Sequence, residues 1–344
     1  MPAATYRDRM EATAQGAERL AARLVAIGFD GNRPTAEAGR LITRGVRSVI
    51  LFARNAGPRA DVTATVSAIK KLAPDSVLVC VDQEGGETVR FTDGFDPPPS
   101  MREVGLRGTV AAANVGARLA ADLRPVGIDL DLAPVVDVDS NPANPVIGPR
   151  SFGADPDQVA ACGAALIRSM QSGGIAACAK HFPGHGDTDQ DSHHDLPVLR
   201  HDFARLRDIE LPPFTAAIEA GVAAIMTTHV VFEHLDPGVP ATLSAAVIDG
   251  ILRSELGFDG VVISDDLEMA AIAELPEIDG DLGEAAVRSI LAGVDLVLCC
   301  HEPARQHRVI DALAGAIADG RIPPSRVARS HARLDRLFRD FVRP

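Results

Sequence analysis

Eight short runs of β-branched and apolar residues recur along the chain, separated by longer amphipathic stretches rich in Ala and Arg. This alternation predicts parallel strands joined by crossover helices. The predicted strands are Val25–Phe29, Ser48–Phe52, Ser76–Val81, Ile128–Ala133, Ala176–Lys180, Ala223–Thr227, Gly260–Ser264 and Val294–Leu298. Since no linker divides these units, we predict an α/β fold, a single-domain (β/α)8 TIM-type barrel over residues 1–344.

The stretches between the predicted strands have helical periodicity. The clearest are Ala60–Leu72, Ala111–Leu123, Pro156–Ser172, Ser244–Leu256, Leu282–Ala292, Glu302–Ile317 and Pro324–Phe341. Asp61 and Ser244 precede apolar helical patterns, and we predict that they cap those helices.

Composition narrows the function classes. The formal net charge is −13 and no Lys/Arg run is present, which argues against nucleic-acid binding. The amino terminus lacks the pattern of a signal peptide, and no apolar run approaches a membrane span, so we expect a cytoplasmic protein without membrane contact.

The odd number of Cys, five, favours buried free thiols. With no Trp and one Tyr, the chain has little aromatic surface for a long glycan, which favours a small substrate.

The densest polar segment, Lys180–Pro197, follows the fifth predicted strand and holds four His and four Asp. Because His titrates near neutral pH, such a loop suits acid–base catalysis. The same residue types could ligate zinc or iron, although no standard metal-binding spacing is present. From the residues alone, a solvated polar loop is an equal alternative.

Two further segments bring carboxylates to the barrel mouth. Asp265 and Asp266 follow the seventh predicted strand, where a carboxylate could be a nucleophile, a base or a metal ligand, or could cap the next helix. Asp82 and Glu84 lie on a glycine turn after the third strand, where they could hold sugar hydroxyls through charge-assisted hydrogen bonds.

Taken together, these motifs resemble glycoside hydrolase family 3, and in particular its bacterial β-N-acetylglucosaminidases of peptidoglycan recycling. The resembling segments are Ile50–Asn55, Val81–Gly86, Leu132–Val138, Asn141–Gly148, Arg150–Gly153, Lys180–Thr188, Asp191–His193, Met226–Val230 and Ser264–Asp266. They occur in the family's order from about residue 24 to the last strand. Glu87 departs from the family pattern, since many relatives carry Arg there.

The resemblance implies a retaining exo-β-N-acetylhexosaminidase that acts on a small saccharide or muropeptide without a metal or cofactor. It implies Asp265 as the nucleophile and His193 as the acid/base, paired with Asp191. The sugar-binding residues that it implies are Asp82, Arg90, Arg150, Lys180, His181 and Met226. A His needs a carboxylate to orient its ring and raise its basicity, and the two-residue spacing lets Asp191 share one face of an extended segment with His193.

Four alternatives stay open at this point. A phosphorylase of the same family would use phosphate in place of water, which a His acid/base repels less than a Glu would. A broad β-glucosidase would not need the acetamido group. A catalytically silent sugar-binding protein and a metal-dependent barrel hydrolase are the remaining two.

Overall fold

Each of the eight predicted runs contains a strand in the computed structural model, which describes residues 15–73, 75–192 and 196–343. The strands pair in parallel and close into a barrel, as predicted. The first to eighth barrel strands are Val25–Ile27, Ser48–Leu51, Leu78–Val81, Leu130–Asp131, Ala176–Phe182, Ala224–Thr227, Val261–Asp266 and Leu296–Cys299.

The barrel closes because the first strand pairs on both sides. Ala26 lies opposite Leu298 of the eighth strand and opposite Ser48 of the second. Most strand residues are apolar and buried, as expected for parallel strands that are covered by helices outside and filled by side chains inside.

The helices surround the barrel. The α-helices are Ala36–Arg44, Arg59–Lys71, Met101–Arg107, Thr109–Leu123, Pro156–Ser172, Phe203–Arg205, Leu211–Glu219, Ala270–Ala273, Leu282–Ala292, Pro303–Ala318 and Pro324–Phe341. Two π-helical segments cover Leu206–Glu210 and Ala246–Glu255, and residues 15–22 are also helical. All seven predicted helices are confirmed, with ends shifted by a few residues, although the one predicted over Ser244–Leu256 is largely π-helical.

The two predicted caps have different outcomes. Asp61 is not a cap: the helix begins at Arg59 after Pro58, which places Asp61 in the first turn. Ser244 does act as predicted, since its Oγ accepts a hydrogen bond from the Val247 backbone N–H at 3.2 Å. Asp61 precedes the apolar pattern of this helix, but the helix starts two residues earlier because Pro58 sets its entry.

A short parallel strand pair lies outside the barrel and was not predicted. Val198–Leu199 pairs with Val231–Phe232, and the Val231 N–H donates to the Pro197 carbonyl at 2.9 Å. This pair joins the segment that follows the polar segment Lys180–Pro197 to the segment that follows the sixth barrel strand. It thereby fixes the position at which the chain leaves the polar segment.

The thiol prediction is confirmed, since all five Cys are free and buried. Across the parts of the chain that the structure describes, no helix combines the length and apolar character needed to cross a membrane.

Candidate active site

A cavity of about 240 Å³ opens at the C-terminal end of the barrel, where this fold places its active sites. Leu132 and Leu298 contribute apolar surface to its wall. The residues predicted for the site that line it are Asp82, Arg90, Arg150, Lys180, His181, Met226 and Asp265. Side chains from distant parts of the sequence therefore meet in one small cavity.

Lys180 is the centre of a buried ion network on one side of this cavity. Its Nζ lies 2.7 Å from Asp82 Oδ1 and 2.7 Å from Glu84 Oε1. Arg150 donates two parallel hydrogen bonds to Glu84, each 2.8 Å long, and Arg90 reaches Asp82 at 3.3 Å. Bidentate pairing of this kind fixes orientation as well as charge.

The network keeps its charges despite burial. Burial raises the pKa of the Glu84 carboxyl, but the charges and hydrogen bonds of Arg150 and Lys180 outweigh it and hold that pKa below its usual range. Burial lowers the pKa of Lys180, but the nearby Asp82 and Glu84 carboxylates outweigh this effect and hold that pKa above its usual range. The ammonium group therefore stays charged. The cavity wall thus offers fixed charged donors and acceptors, which suit the hydroxyl groups of one sugar ring.

His181 and His185 share a buried carboxylate, Asp137. The ring Nδ1 of His181 lies 2.8 Å from Asp137 Oδ2, and the backbone N–H groups of both His residues also donate to Asp137. Although burial raises the pKa of Asp137, the nearby His181 and His185 groups bring it below its ordinary value. An ionised Asp137 can only accept, so Nδ1 of His181 carries a proton and Nε2 is the nitrogen left to meet a ligand.

Asp265 is a partly exposed carboxylate at the end of the seventh barrel strand. Burial raises its pKa, but His229, His181, the backbone N–H of Asp266 and Lys180 together lower it below the ordinary value. The Asp266 N–H donates to Asp265 Oδ1 at 2.8 Å. The carboxylate therefore faces the cavity in its anionic form, as a nucleophile requires.

The alternative of a helix cap at Asp265 or Asp266 is wrong. The next helix is Ala270–Ala273, and the residue at its N-cap is Met269. The Asp266 side chain makes two other contacts. It accepts a hydrogen bond from the Glu268 N–H at 3.1 Å, and its Oδ2 lies 3.1 Å from His301 Nε2. The Asp266 backbone carbonyl lies 3.0 Å from His229 Nε2, which fixes the turn beside Asp265.

The start of the polar loop is held by the segment after the fourth strand. Asn144 donates to the His185 carbonyl at 2.8 Å and to Thr188 Oγ1 at 3.1 Å. His185, whose pKa burial and nearby His181 lower to about 4, lies 3.1 Å from the Ser192 hydroxyl through its Nε2. Ser192 also lines the cavity, which brings the loop to the cavity wall.

The residues predicted as the acid/base pair, Asp191 and His193, are only partly within the described structure. Asp191 is partly buried and directly precedes Ser192. His193 lies outside the described residues, as do His194 and Asp195.

Several residues at this site received no role from the sequence. They are Asp137, His185, His229 and His301. Asp137, His185 and His229 could have been singled out, because each lies inside a family-like segment that follows a barrel strand. His301 lies outside those segments and carries no local pattern that separates it from the other polar residues of the mouth. In the described ranges, no three or more His, Cys, Asp or Glu side chains are grouped so that they could hold a metal ion.

Comparison with known proteins agrees with this geometry. The sequence matches the Glycosyl hydrolase family 3 N terminal domain over residues 18–337. A β-hexosaminidase from Thiobacillus denitrificans is 40% identical over 294 residues, which cover 83% of this chain and 79% of the relative.

Solved structures give the same result. A glycoside hydrolase family 3 β-N-acetylglucosaminidase from Paenibacillus sp. superimposes with a TM-score of 0.90 at 41% identity, covering 94% of this chain and 62% of that longer chain. NagZ from Neisseria gonorrhoeae, solved in complex with N-trifluoroacetyl-D-glucosamine, gives a TM-score of 0.76 at 32% identity, covering 91% and 97% respectively. The resemblance read from the motifs is therefore confirmed, and the chain belongs to glycoside hydrolase family 3.

Proposed function

We propose that this protein is an exo-acting, retaining β-N-acetylhexosaminidase that releases terminal β-linked N-acetylglucosamine. The observation that carries the proposal is the placement of an anionic carboxylate, Asp265, in the same small cavity as the Lys180–Glu84–Arg150 network. One side of the cavity can hold a sugar through its hydroxyls while the other presents a nucleophile to its anomeric carbon.

The sugar-binding roles follow from the chemistry of the wall. Lys180, Arg150 and Arg90 donate to hydroxyl oxygens, and Asp82 accepts from hydroxyl groups. His181 presents Nε2, and Met226, which is 2% exposed, supplies an apolar contact. The charged groups hold one another and Asp137 holds His181 before a sugar arrives, so binding does not have to order them.

Hydrolysis proceeds in two steps. In the first, Asp265 forms a bond to the anomeric carbon while the glycosidic C–O bond breaks and His193 donates a proton to the departing oxygen. In the second, His193 takes a proton from water, whose oxygen displaces Asp265 and releases the sugar with its β configuration retained. Asp191 orients the His193 ring and raises its basicity.

The substrate class rests on the relatives and on the cavity. The Thiobacillus relative is named a β-hexosaminidase, and the Neisseria structure holds an N-acylated glucosamine. Neither name favours a broad β-glucosidase or a phosphorylase. We place the activity in the cytoplasm, on small glycans or muropeptides of peptidoglycan recycling, because the motifs resemble that branch of the family.

A turnover assay tests the proposal. The enzyme should cleave nitrophenyl β-N-acetylglucosaminide much faster than the corresponding glucoside, and it should release free N-acetylglucosamine with or without phosphate. Release of sugar 1-phosphate in phosphate buffer would assign the phosphorylase instead, and equal rates on both glycosides would assign the broad β-glucosidase.

A further inference from the structure

One side of the cavity mouth carries an aromatic pair that the proposed mechanism leaves without a role. His301 follows the eighth barrel strand and Phe52 follows the second, and both line the cavity. Their ring centroids are 5.4 Å apart with an interplanar angle of 36°. The His301 side chain is 50% exposed, although its residue lies beside the buried Cys300.

Both ring nitrogens of His301 are already engaged by the protein. Arg54 Nη1 lies 3.1 Å from Nδ1, and because a guanidinium can only donate, Nδ1 accepts. Nε2 lies 3.1 Å from Asp266 Oδ2 and donates to that carboxylate. The ring is therefore fixed in one orientation, and what it still offers to a ligand is carbon surface and not a polar atom.

Phe52 is fixed in a similar way. The Arg54 guanidinium lies 4.4 Å from the centroid of its ring, and the same guanidinium donates to the Cys300 carbonyl at 2.6 Å. Arg54 thus holds both aromatic rings in place. A rigid pair of rings with little polar capacity suits the C–H face of a pyranose, which packs against aromatic surface.

The stereochemistry of the retaining mechanism indicates which sugar of the substrate would pack against His301 and Phe52. A nucleophile and a leaving oxygen occupy opposite faces of the anomeric carbon. Asp265 lies at the end of the seventh strand, inside the mouth, so the leaving group points outward. His301 follows the neighbouring eighth strand and lines the same cavity, and its half-exposed side chain is accessible to a group that leaves toward solvent.

We propose that His301 and Phe52 form the binding site for the leaving-group pyranose, which the ring pair recognises by stacking. This inference rests on the proposed function and adds a specificity-determining role for His301 to it. It assigns no chemical step to His301.

The test compares two substrates with the same N-acetylglucosaminyl group and different leaving groups. Di-N-acetylchitobiose has a pyranose leaving group, whereas 2,2,2-trifluoroethyl β-N-acetylglucosaminide has an alkoxide leaving group without a ring. His301→Ala should lower kcat/KM about tenfold on the disaccharide and by less than about twofold on the trifluoroethyl glycoside. His301→Phe keeps a ring but not the bond to Asp266, and it should retain most of the disaccharide activity.

His331→Ala is the matched control, because His331 lies on the last helix and contacts the Leu20 carbonyl. It should leave both rates unchanged. Equal losses on both substrates in His301→Ala would overturn the inference, since His301 would then act by positioning Asp266. A changed preference between N-acetylglucosaminides and glucosides would also overturn it, by assigning the ring pair to the C2 substituent. If the wild-type enzyme cleaves neither substrate, it is the proposed function that fails.

Discussion

Asp137 accepts a hydrogen bond from the ring of His181 at 2.8 Å and another from the His181 backbone N–H, although the two residues are 44 positions apart. It also accepts from the His185 N–H at 2.7 Å. One buried carboxylate therefore fixes both the backbone and the ring at the end of the fifth barrel strand.

Asp137→Ala should lower kcat/KM about 10- to 100-fold, because His181 loses the partner that sets its tautomer and orientation. It should also lower the free energy of unfolding by at least about 1–3 kcal/mol, since buried N–H groups lose their acceptor. Steady-state kinetics and urea unfolding measure the two effects. Asp139→Ala is the control, because Asp139 pairs with Arg102 instead. Unchanged activity in Asp137→Ala would remove His181 from the sugar-binding set.

The position of Lys180 predicts that its removal weakens both substrate binding and stability, whereas removal of a similar cation outside the cavity lowers stability alone. Lys180→Ala leaves two carboxylates without their central cation, so KM should rise strongly and stability should fall by about 3–5 kcal/mol. Lys70→Ala is a matched control, because Lys70 also pairs with a buried carboxylate, Asp129 at 2.9 Å, but lies outside the cavity. The control should lose stability without the rise in KM. A similar KM in both variants would contradict a sugar-binding role for Lys180.

Glu84 predicts an acid-sensitive contribution to stability. The pKa of Glu84 is lowered in the folded protein, whereas a Glu in an unfolded chain has a pKa of about 4.3. At pH values between these two pKa values the unfolded state therefore binds more protons than the folded state. The stabilisation from Glu84 is therefore complete above about pH 5 and is lost as the pH falls. The difference in unfolding free energy between wild type and Glu84→Gln should shrink on going from pH 7 to pH 4. Glu103→Gln, at an exposed position, should show no such change. A difference that grows toward low pH would contradict the ionised state of Glu84.

The barrel could be predicted from the sequence because each strand and each helix carries its own local periodicity. Asp265 could be placed at the mouth for the same reason, since it directly follows an apolar strand. The partners of the site could not be predicted in this way. Glu84 and Arg150 are 66 positions apart, and only the closed barrel brings them to 2.8 Å. The His301–Asp266 contact likewise depends on the register between the seventh and eighth strands.

His193 predicts a dependence on the leaving group. A sugar alkoxide departs poorly without a proton, whereas a nitrophenolate departs almost unaided, and general acid catalysis contributes about 100- to 10,000-fold. His193→Ala should therefore lose most activity on a disaccharide and much less in the first step on a nitrophenyl glycoside, with the intermediate on Asp265 accumulating. Asp191→Ala should show a milder form of the same pattern, and His194→Ala should be close to wild type. Pre-steady-state kinetics on both substrates measure this, and equal losses on good and poor leaving groups would exclude His193 as the acid.

Mass spectrometry of a trapped enzyme can identify the residue that carries the covalent intermediate, which we expect to be Asp265. A 5-fluoro N-acetylglucosaminyl fluoride slows the second step and lets the intermediate persist. Wild-type protein should gain the mass of one fluorinated sugar, digestion should place that mass on the peptide containing Asp265, and Asp265→Ala should gain nothing. Attachment to Asp266 or to another residue, or normal turnover by a folded Asp265→Ala variant, would contradict the assignment of Asp265 as the nucleophile.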